Sequence, residues 1–208
     1  IYTNEYDEVD MLMRGKIFLA ITSRDFTPKQ LKYLQDNNFQ PTAIKLAYDA
    51  LALIVNKNNN DTCISVKDVK RILSGEVTDW SQIYPGSRRG KIKIVFDNPK
   101  SSTVKFCEDS ILGGHGISNV NASAVKTSQG VIDFVEKTPN AIGVIGSNWL
   151  NDKRDTTNCT FKKNIHVMSV SKMDKATEMN SWKPYQAYIF NGRYPFIRTI
   201  YALITDPI

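Results

Sequence analysis

A hydroxyl-rich segment, residues 97–103, is the part of the sequence whose residue types most clearly indicate chemistry. It follows the apolar run 92–96, which has the length of a strand, and it precedes a helical pattern. A helix N-terminus presents unpaired backbone N–H groups and about half a positive charge. Ser101, Ser102 and Thr103 add hydroxyl donors there, which suits a phosphate-like anion. Simple N-capping is the alternative, although one serine or threonine is enough for a cap.

A second turn of this kind, residues 22–25, also joins an apolar strand to a helix. The run 17–21 is typical of a parallel strand covered on both faces, and Thr27 opens a capping box with proline at the first helical position. Arg24 could supply a fixed cation for an oxyanion, with a surface ion pair to Asp25 or to another neighbour as the alternative. Because ligands in open α/β sheets bind beyond the carboxyl ends of strands, the two turns together favour an anion site.

The elements that must position these turns alternate between apolar strands and amphipathic helices, which predicts an α/β fold with a mostly parallel sheet. A strand pair is predicted within 43–55, turning around Tyr48 and Asp49. Ser65 to Asp68 are predicted to form a capping box that opens a helix, and residues 141–145 are predicted to form a strand. The length of 208 residues fits one large domain or two small ones, at roughly 150 residues per domain.

Histidine and cysteine are too sparse to indicate a metal centre or a catalytic nucleophile. The sequence has two histidines and three cysteines, with no CxxC pair and no Cys/His cluster. We therefore expect no enzyme activity, no metal and no cofactor. Cys63 and Cys159 lie in polar segments and could pair in an oxidising compartment, although the sequence alone allows three pairings with Cys107 included.

The charge balance limits the classes of partner. Lysine and arginine number 27 and aspartate and glutamate 21, so the net charge is +6, which fits an anionic partner of unspecified kind. The basic pairs 88–89 and 162–163 are shorter than the stripe of a nucleic-acid-binding face, so no nucleic acid is expected. No apolar run approaches the ~20 residues that span a bilayer. The first residue is Ile1, which predicts a processed or trimmed piece.

Several segments, taken in their order along the chain, carry a resemblance to a known family. They are the strand end 51–59, the "I-x-S-G-x-x-T-x-W" turn 72–80, the Pro-Asn-Ala-Ile-Gly segment 139–143 and the return segment 194–201. In that order they resemble the PstS-like phosphate-binding substrate proteins of ABC transporters, in the type II periplasmic-binding-protein class. The hydroxyl-rich segment resembles the family's Ser-Gly-Thr phosphate loop, and the turn at 22–24 resembles its first-lobe turn.

This resemblance implies two α/β lobes joined by two crossing strands, with the ligand clamped between them. Lobe one is expected over 1–51 and 172–208, and lobe two over 52–171. The family's first strand and helix are expected to be missing from the chain. Lobe two is expected to contribute Ser101, Ser102 and Thr103, and lobe one Ser23 and Arg24.

Departures from the family pattern concern the expected ligand. Ser102 stands at the central glycine of the Ser-Gly-Thr loop, and Asp97 stands where many members carry an arginine. A carboxylate can accept a hydrogen bond from protonated phosphate, whereas sulfate has no proton to give. Asp97 is therefore expected to favour phosphate over sulfate, or else to indicate another ligand. Asp49, near the expected hinge, is a second acidic ligand candidate, with turn capping as the alternative.

The resemblance implies an extracytoplasmic solute-binding protein that captures phosphate and hands it to an ABC permease. A periplasmic or extracellular location, a lipid anchor and a monomeric state are the corresponding expectations. The alternative is a protein of the same fold that binds another anion or small ligand, or that serves as a sensor or surface protein.

Overall fold

Two α/β units make up the part of the chain, residues 5–150 and 162–207, that the computed structural model describes. Unit 1 comprises Ile1–Asp49, Lys100–Ser102 and Arg198–Ile208. Unit 2 comprises Ala50–Pro99 and Thr103–Ile197. The α/β class that the sequence predicts is confirmed.

Unit 1 is built from two helices and three strands among its described residues. They are α1 (Glu5–Met13), β1 (Leu19–Thr22), α2 (Pro28–Asp36), the first part of β2 (Phe39–Asn56) and nearly all of β10 (Ile197–Pro207). The strand order is β1-β10-β2. The capping box predicted at Thr27 is present, since Thr27 Oγ1 accepts from Gln30 N at 3.3 Å and Gln30 Oε1 accepts from Thr27 N at 2.9 Å. Leu12, Leu34 and Leu203 form the centre of the core of unit 1.

The prediction of a parallel, fully covered strand at 17–21 is wrong. Strand β1 pairs antiparallel with β10, and its residues alternate between exposed and buried. Ala20 lies in the core, whereas Leu19 and Ile21 are about half exposed on the opposite face. The apolar run is continuous because both faces of β1 carry apolar side chains, even though one face is open among the described residues. Strand β2 also carries exposed apolar side chains, which are Ile44, Leu46 and Tyr48.

Unit 2 contains the longer series of elements. They are β3 (Cys63–Ser65), α3 (Val66–Leu73), β4 (Lys93–Phe96), α4 (Ser102–Phe106), β5 (Ala122–Ala124), α5 (Ser128–Lys137), β6 (Ala141–Gly146), β7 (Ile165–Val167), β8 (Ser169–Ser171), β9 (Ser181–Trp182) and α6 (Gln186–Phe190), with the first residue of α4 assigned to unit 1. The strands of its main sheet follow the order β2-β6-β4-β5, with β7 also on β2, and β3-β8-β9 form a second sheet. Strand β4 is parallel to β5 and β6, whereas β2 is antiparallel to β6 and β7. The sheet is therefore mixed, not mostly parallel as predicted.

The main sheet of unit 2 is covered on both faces. Alternate residues of β2 enter different clusters, with Leu51 and Leu53 in one and Ala52 and Ile54 in the other. Helix α3 contributes Ile72 to the first cluster. Of the predicted capping box, the Ser65 half is present, since Ser65 Oγ accepts from Asp68 N at 2.9 Å, and Asp68 Oδ2 accepts from Ser65 Oγ at 2.7 Å. This two-sided burial explains the continuous apolar sequence of the central strands.

The strand pair predicted within 43–55 is instead one continuous strand, β2. Tyr48 and Asp49 stay extended within it and form no turn. The carboxylate of Asp49 is bound by Arg198 of the neighbouring strand β10. This tertiary contact outweighs the usual preference of aspartate for turns.

The segment 172–197, which the sequence assigns to lobe one, lies in unit 2. Strand β9 pairs with β8, and Tyr194 and Phe196 are buried in the same core cluster as Leu51. Tyr194 also donates a hydrogen bond to the Leu51 carbonyl at 2.7 Å. Aromatic packing therefore keeps this segment with unit 2 until β10 begins.

Two strands run through both units. Strand β2 changes unit between Asp49 and Ala50, and β10 changes unit between Ile197 and Arg198. These are the two crossing strands that the resemblance implies. No helix in the described ranges 5–150 and 162–207 is long and apolar enough to cross a membrane.

Replacement of Gly143 by alanine is expected to destabilise unit 2. A Cβ there would lie 2.7 Å from both Ile54 Cγ1 and Val131 Cγ1, in a fully buried strand. Overpacking of this kind costs about 1–3 kcal/mol. The measurement is the free energy of unfolding by chemical denaturation. Gly116→Ala is the matched control, because the nearest atom to its Cβ would be Glu108 Oε1 at 3.9 Å; equal effects of the two substitutions would contradict the prediction.

Candidate functional site

The predicted phosphate loop lies where the sequence places it, between β4 and α4. Helix α4 begins at Ser102, while Ser101 and Thr103 are buried and Ser102 is half-buried. Lys100–Ser102 belong to unit 1, and Thr103 begins the next part of unit 2. The three hydroxyl groups of the loop are therefore divided between the two units.

In unit 1, Arg198 connects the loop to strand β2. Its Nε and Nη2 donate to Asp49 Oδ2 at 3.0 and 2.6 Å, and its Nη1 donates to Ser102 Oγ at 2.9 Å. The Arg198 side chain is only 10% exposed and that of Asp49 22%. Because the guanidinium is planar and delocalised, one cation holds a carboxylate and a hydroxyl in fixed directions. Asp49 thus occupies a mainly buried ion pair on a continuous strand, and its turn-capping alternative is wrong.

The turn at Ser23 and Arg24, also in unit 1, is bound by a carboxylate from α1. Glu5 Oε2 accepts from Ser23 N at 3.0 Å and from Ser23 Oγ at 2.6 Å, and Glu5 Oε1 lies 3.6 Å from Arg24 Nε. Arg24 Nη1 donates to Gln30 Oε1 at 3.2 Å and to the Asp25 carbonyl at 3.3 Å. The Arg24 guanidinium is therefore paired with the Glu5 carboxylate of α1. Its contact with Asp25 is to the backbone carbonyl.

In unit 2, Asp97 binds the polar groups around it. Its Oδ1 accepts from Asn98 N and from Thr103 Oγ1, both at 3.0 Å, and its Oδ2 accepts from Ser128 Oγ at 3.4 Å. Ser128 is the first residue of α5, so Asp97 links the end of β4 to the beginnings of α4 and α5. The carboxylate of Asp97 therefore orders the local loop.

The structure distributes the predicted site residues over the two units. Unit 1 contains Ser23, Arg24, Asp49, Ser101 and Ser102, and unit 2 contains Asp97 and Thr103.

Sequence reasoning missed Arg198 and Glu5 as partners of these residues. Arg198 lies within the return segment 194–201, whose aromatic residues are a usable signal. Glu5 lies 18 residues before Ser23 and gives no local signal.

Other reactive side chains in the described residues do not form a centre. Within residues 5–150 and 162–207, no three histidine, cysteine, aspartate or glutamate side chains gather as metal ligands. Cys63 is half-buried and Cys107 is buried. Cys159 lies outside the described residues, so its pairing with Cys63 stays a prediction.

Substitution of Arg198 by glutamine is expected to lower the free energy of unfolding by about 2–4 kcal/mol, because it leaves a mainly buried carboxylate without its cation. The measurement is chemical denaturation, and the double variant with Asp49→Asn should recover part of the loss. Arg14→Gln is the control, since Arg14 pairs with Asp10 at 2.9 Å but is 63% exposed, and such surface pairs contribute less than about 1 kcal/mol. Equal losses at Arg14 and Arg198 would show that the buried pair has no special role.

Comparison with known proteins shows the family to which this chain belongs. The family model described as PBP superfamily domain matches residues 9–207. The phosphate-binding protein PstS of Staphylococcus haemolyticus is 23% identical over 198 residues, which cover 95% of this chain and 58% of that relative. PstS of Staphylococcus aureus strain USA300 is 24% identical over 193 residues, covering 92% of this chain and 54% of that relative. This chain therefore spans little more than half the length of these curated relatives.

Solved structures show the same fold. An ABC-type phosphate transport receptor from Vibrio cholerae superposes with a TM-score of 0.72 at 21% identity, covering 96% of this chain and 71% of that chain. PstS from Borrelia burgdorferi superposes with a TM-score of 0.62 at 23% identity, covering 94% and 70%. Since the family model extends over almost all of the described residues, the chain belongs to the PBP superfamily domain family.

Proposed function

We propose that this protein is a solute-binding protein that captures phosphate and delivers it to an ABC importer. Its membership of the PBP superfamily and the phosphate-binding names of its relatives support the proposal. It works by binding and release without bond chemistry, on the periplasmic or extracellular side of the membrane. A monomeric state, a lipid anchor and an ABC permease as partner belong to the same proposal.

The observation that carries the proposal is the state of the Ser102 hydroxyl at the start of α4. Ser102 Oγ accepts a hydrogen bond from Arg198 Nη1 at 2.9 Å. A hydroxyl that accepts in this way keeps its own proton for donation, and the nearby guanidinium makes that proton more acidic. Ser102 is thereby oriented as a donor to an oxyanion.

Asp97 gives the neighbouring threonine a different role. Because Thr103 Oγ1 donates its hydrogen bond to Asp97 Oδ1, this side chain stabilises the loop and is not proposed as a ligand donor. Asp97 Oδ2 accepts a long hydrogen bond of 3.4 Å from Ser128 Oγ. A carboxylate oxygen has more than one acceptor site, so Oδ2 can also accept from a stronger donor. A protonated phosphate oxygen is such a donor, and sulfate lacks it. Asp97 is therefore proposed as the residue that makes the affinity of the protein for phosphate higher than its affinity for sulfate.

A second candidate is a protein of the same fold that binds another anion or small ligand, or acts as a sensor or surface protein. It is favoured by Asp97, which stands where many family members carry an arginine. A thermal-shift screen of small anions separates the two candidates, because stabilisation by another anion and none by phosphate would support the second.

Ser102→Ala is expected to weaken phosphate binding roughly 10- to 100-fold, as a hydrogen bond to a charged group contributes about 1.5–3 kcal/mol. The measurement is isothermal titration calorimetry with phosphate near neutral pH. Ser110→Ala is the control, because Ser110 is an exposed serine in the turn that follows α4. Absence of heat from phosphate in the unsubstituted protein at millimolar concentration would contradict the proposed function itself.

Asp97→Asn is expected to reduce discrimination between the two tetrahedral anions. The amide removes a negative charge and offers donors, so phosphate affinity should fall and sulfate affinity should rise. Competition calorimetry gives the ratio of the two dissociation constants. Asp109→Asn is a matched charge control, since Asp109 is exposed and pairs with Lys105 at 2.8 Å. An unchanged ratio in Asp97→Asn would remove Asp97 from the recognition of phosphate.

A further inference from the structure

The turn at Ser23 and Arg24 has the chemistry of an oxyanion receptor. It presents a backbone N–H, a hydroxyl and a guanidinium to the same two carboxylate oxygens of Glu5. Charge-assisted hydrogen bonds of this type are short and strong, and the Ser23 Oγ contact of 2.6 Å fits that class. The same donors suit the oxygens of a phosphate ion, because carboxylate and phosphate oxygens accept in similar directions.

Glu5 is more buried than the residues of the surface ion pair between Asp10 and Arg14. The Glu5 side chain is 13% exposed and that of Arg24 29%, whereas Asp10 and Arg14 are 47% and 63% exposed. Glu5 also reaches a turn 18 residues away, while Asp10 pairs four residues along its own helix. Its carboxylate is therefore enclosed by donors of the turn.

We infer that Glu5 is an internal carboxylate ligand of the Ser23–Arg24 turn and competes there with an incoming oxyanion. The inference rests on the proposed phosphate-binding function and concerns the contribution of unit 1. The donors of the turn become available to phosphate only when Glu5 leaves them. Glu5 thus sets the affinity for phosphate, and an anion that cannot displace a carboxylate is rejected.

A purely structural role for Glu5 makes the opposite prediction. If the carboxylate only holds α1 against the turn, its removal disorders the donors and weakens anion binding. If the carboxylate competes, its removal frees the donors and removes a like charge, so anion binding tightens. The direction of the change in affinity therefore distinguishes the two roles.

The test is calorimetric titration of phosphate into the unsubstituted protein, Glu5→Gln, Glu5→Ala and Glu5→Asp. The dissociation constant is expected to fall at least tenfold in Glu5→Gln and Glu5→Ala, and less in Glu5→Asp, where a shorter carboxylate remains. Asp10→Asn removes one charge from the same helix and should change the constant less than twofold. Thermal denaturation of each variant establishes that it is folded. Unchanged or weaker binding in folded Glu5→Gln and Glu5→Asp would overturn the inference.

An amide NMR measurement separates this inference from the proposed function. If no variant binds phosphate, the proposed function fails, and sodium acetate is then titrated into folded Glu5→Ala, or into Glu5→Gln if the alanine variant does not fold. A saturable shift of the Ser23 amide resonance, absent from the unsubstituted protein, would support a carboxylate site that Glu5 normally fills. No shift with acetate would overturn the inference as well.

Discussion

The arrangement of unit 1 depends on the hydrogen bonds that the Arg198 guanidinium donates to a carboxylate and a hydroxyl. One side chain, nine-tenths buried, binds Asp49 on β2 and Ser102 at the start of α4. Removing a buried cation of this kind leaves a carboxylate without compensation, which costs more than the pair itself contributes. The strand β2, the strand β10 and the loop before α4 are therefore fixed by one set of hydrogen bonds.

Arg198, which contacts two predicted site residues in unit 1, and Arg24, which is itself one of them, are both paired with carboxylates. Arg198 is paired with Asp49, and Arg24 is paired with Glu5. The net charge of +6 is thus not concentrated as free positive charge at these two positions. Under the proposed function, recognition of an anion at these positions would depend on hydroxyl and N–H donors whose directions the ion pairs fix. Such donors select by geometry, which a diffuse positive charge cannot do.

The sequence predicts best those features whose partners are local. The caps at Thr27 and Ser65 involve residues three positions apart, and both are present. The antiparallel direction of β1 could not be predicted, because it depends on β10, about 180 residues later. The same holds for Asp49, whose extended backbone inside β2 depends on Arg198. Local preference is a weak guide wherever a distant side chain supplies the decisive contact.

A cation from a distant part of the chain contacts the hydroxyl at the start of α4. The resemblance noted from the sequence places Asp97 at a position where many family members carry an arginine. In the structure, the Ser102 hydroxyl is bound by a guanidinium from β10, 96 residues away. In unit 2, Asp97 accepts a hydrogen bond from Thr103 Oγ1, so the Thr103 hydroxyl is a donor in its contact whereas the Ser102 hydroxyl is an acceptor from Arg198. An acceptor such as the Asp97 carboxylate can distinguish an anion that carries a proton from one that does not, which is the chemical difference between phosphate and sulfate at neutral pH.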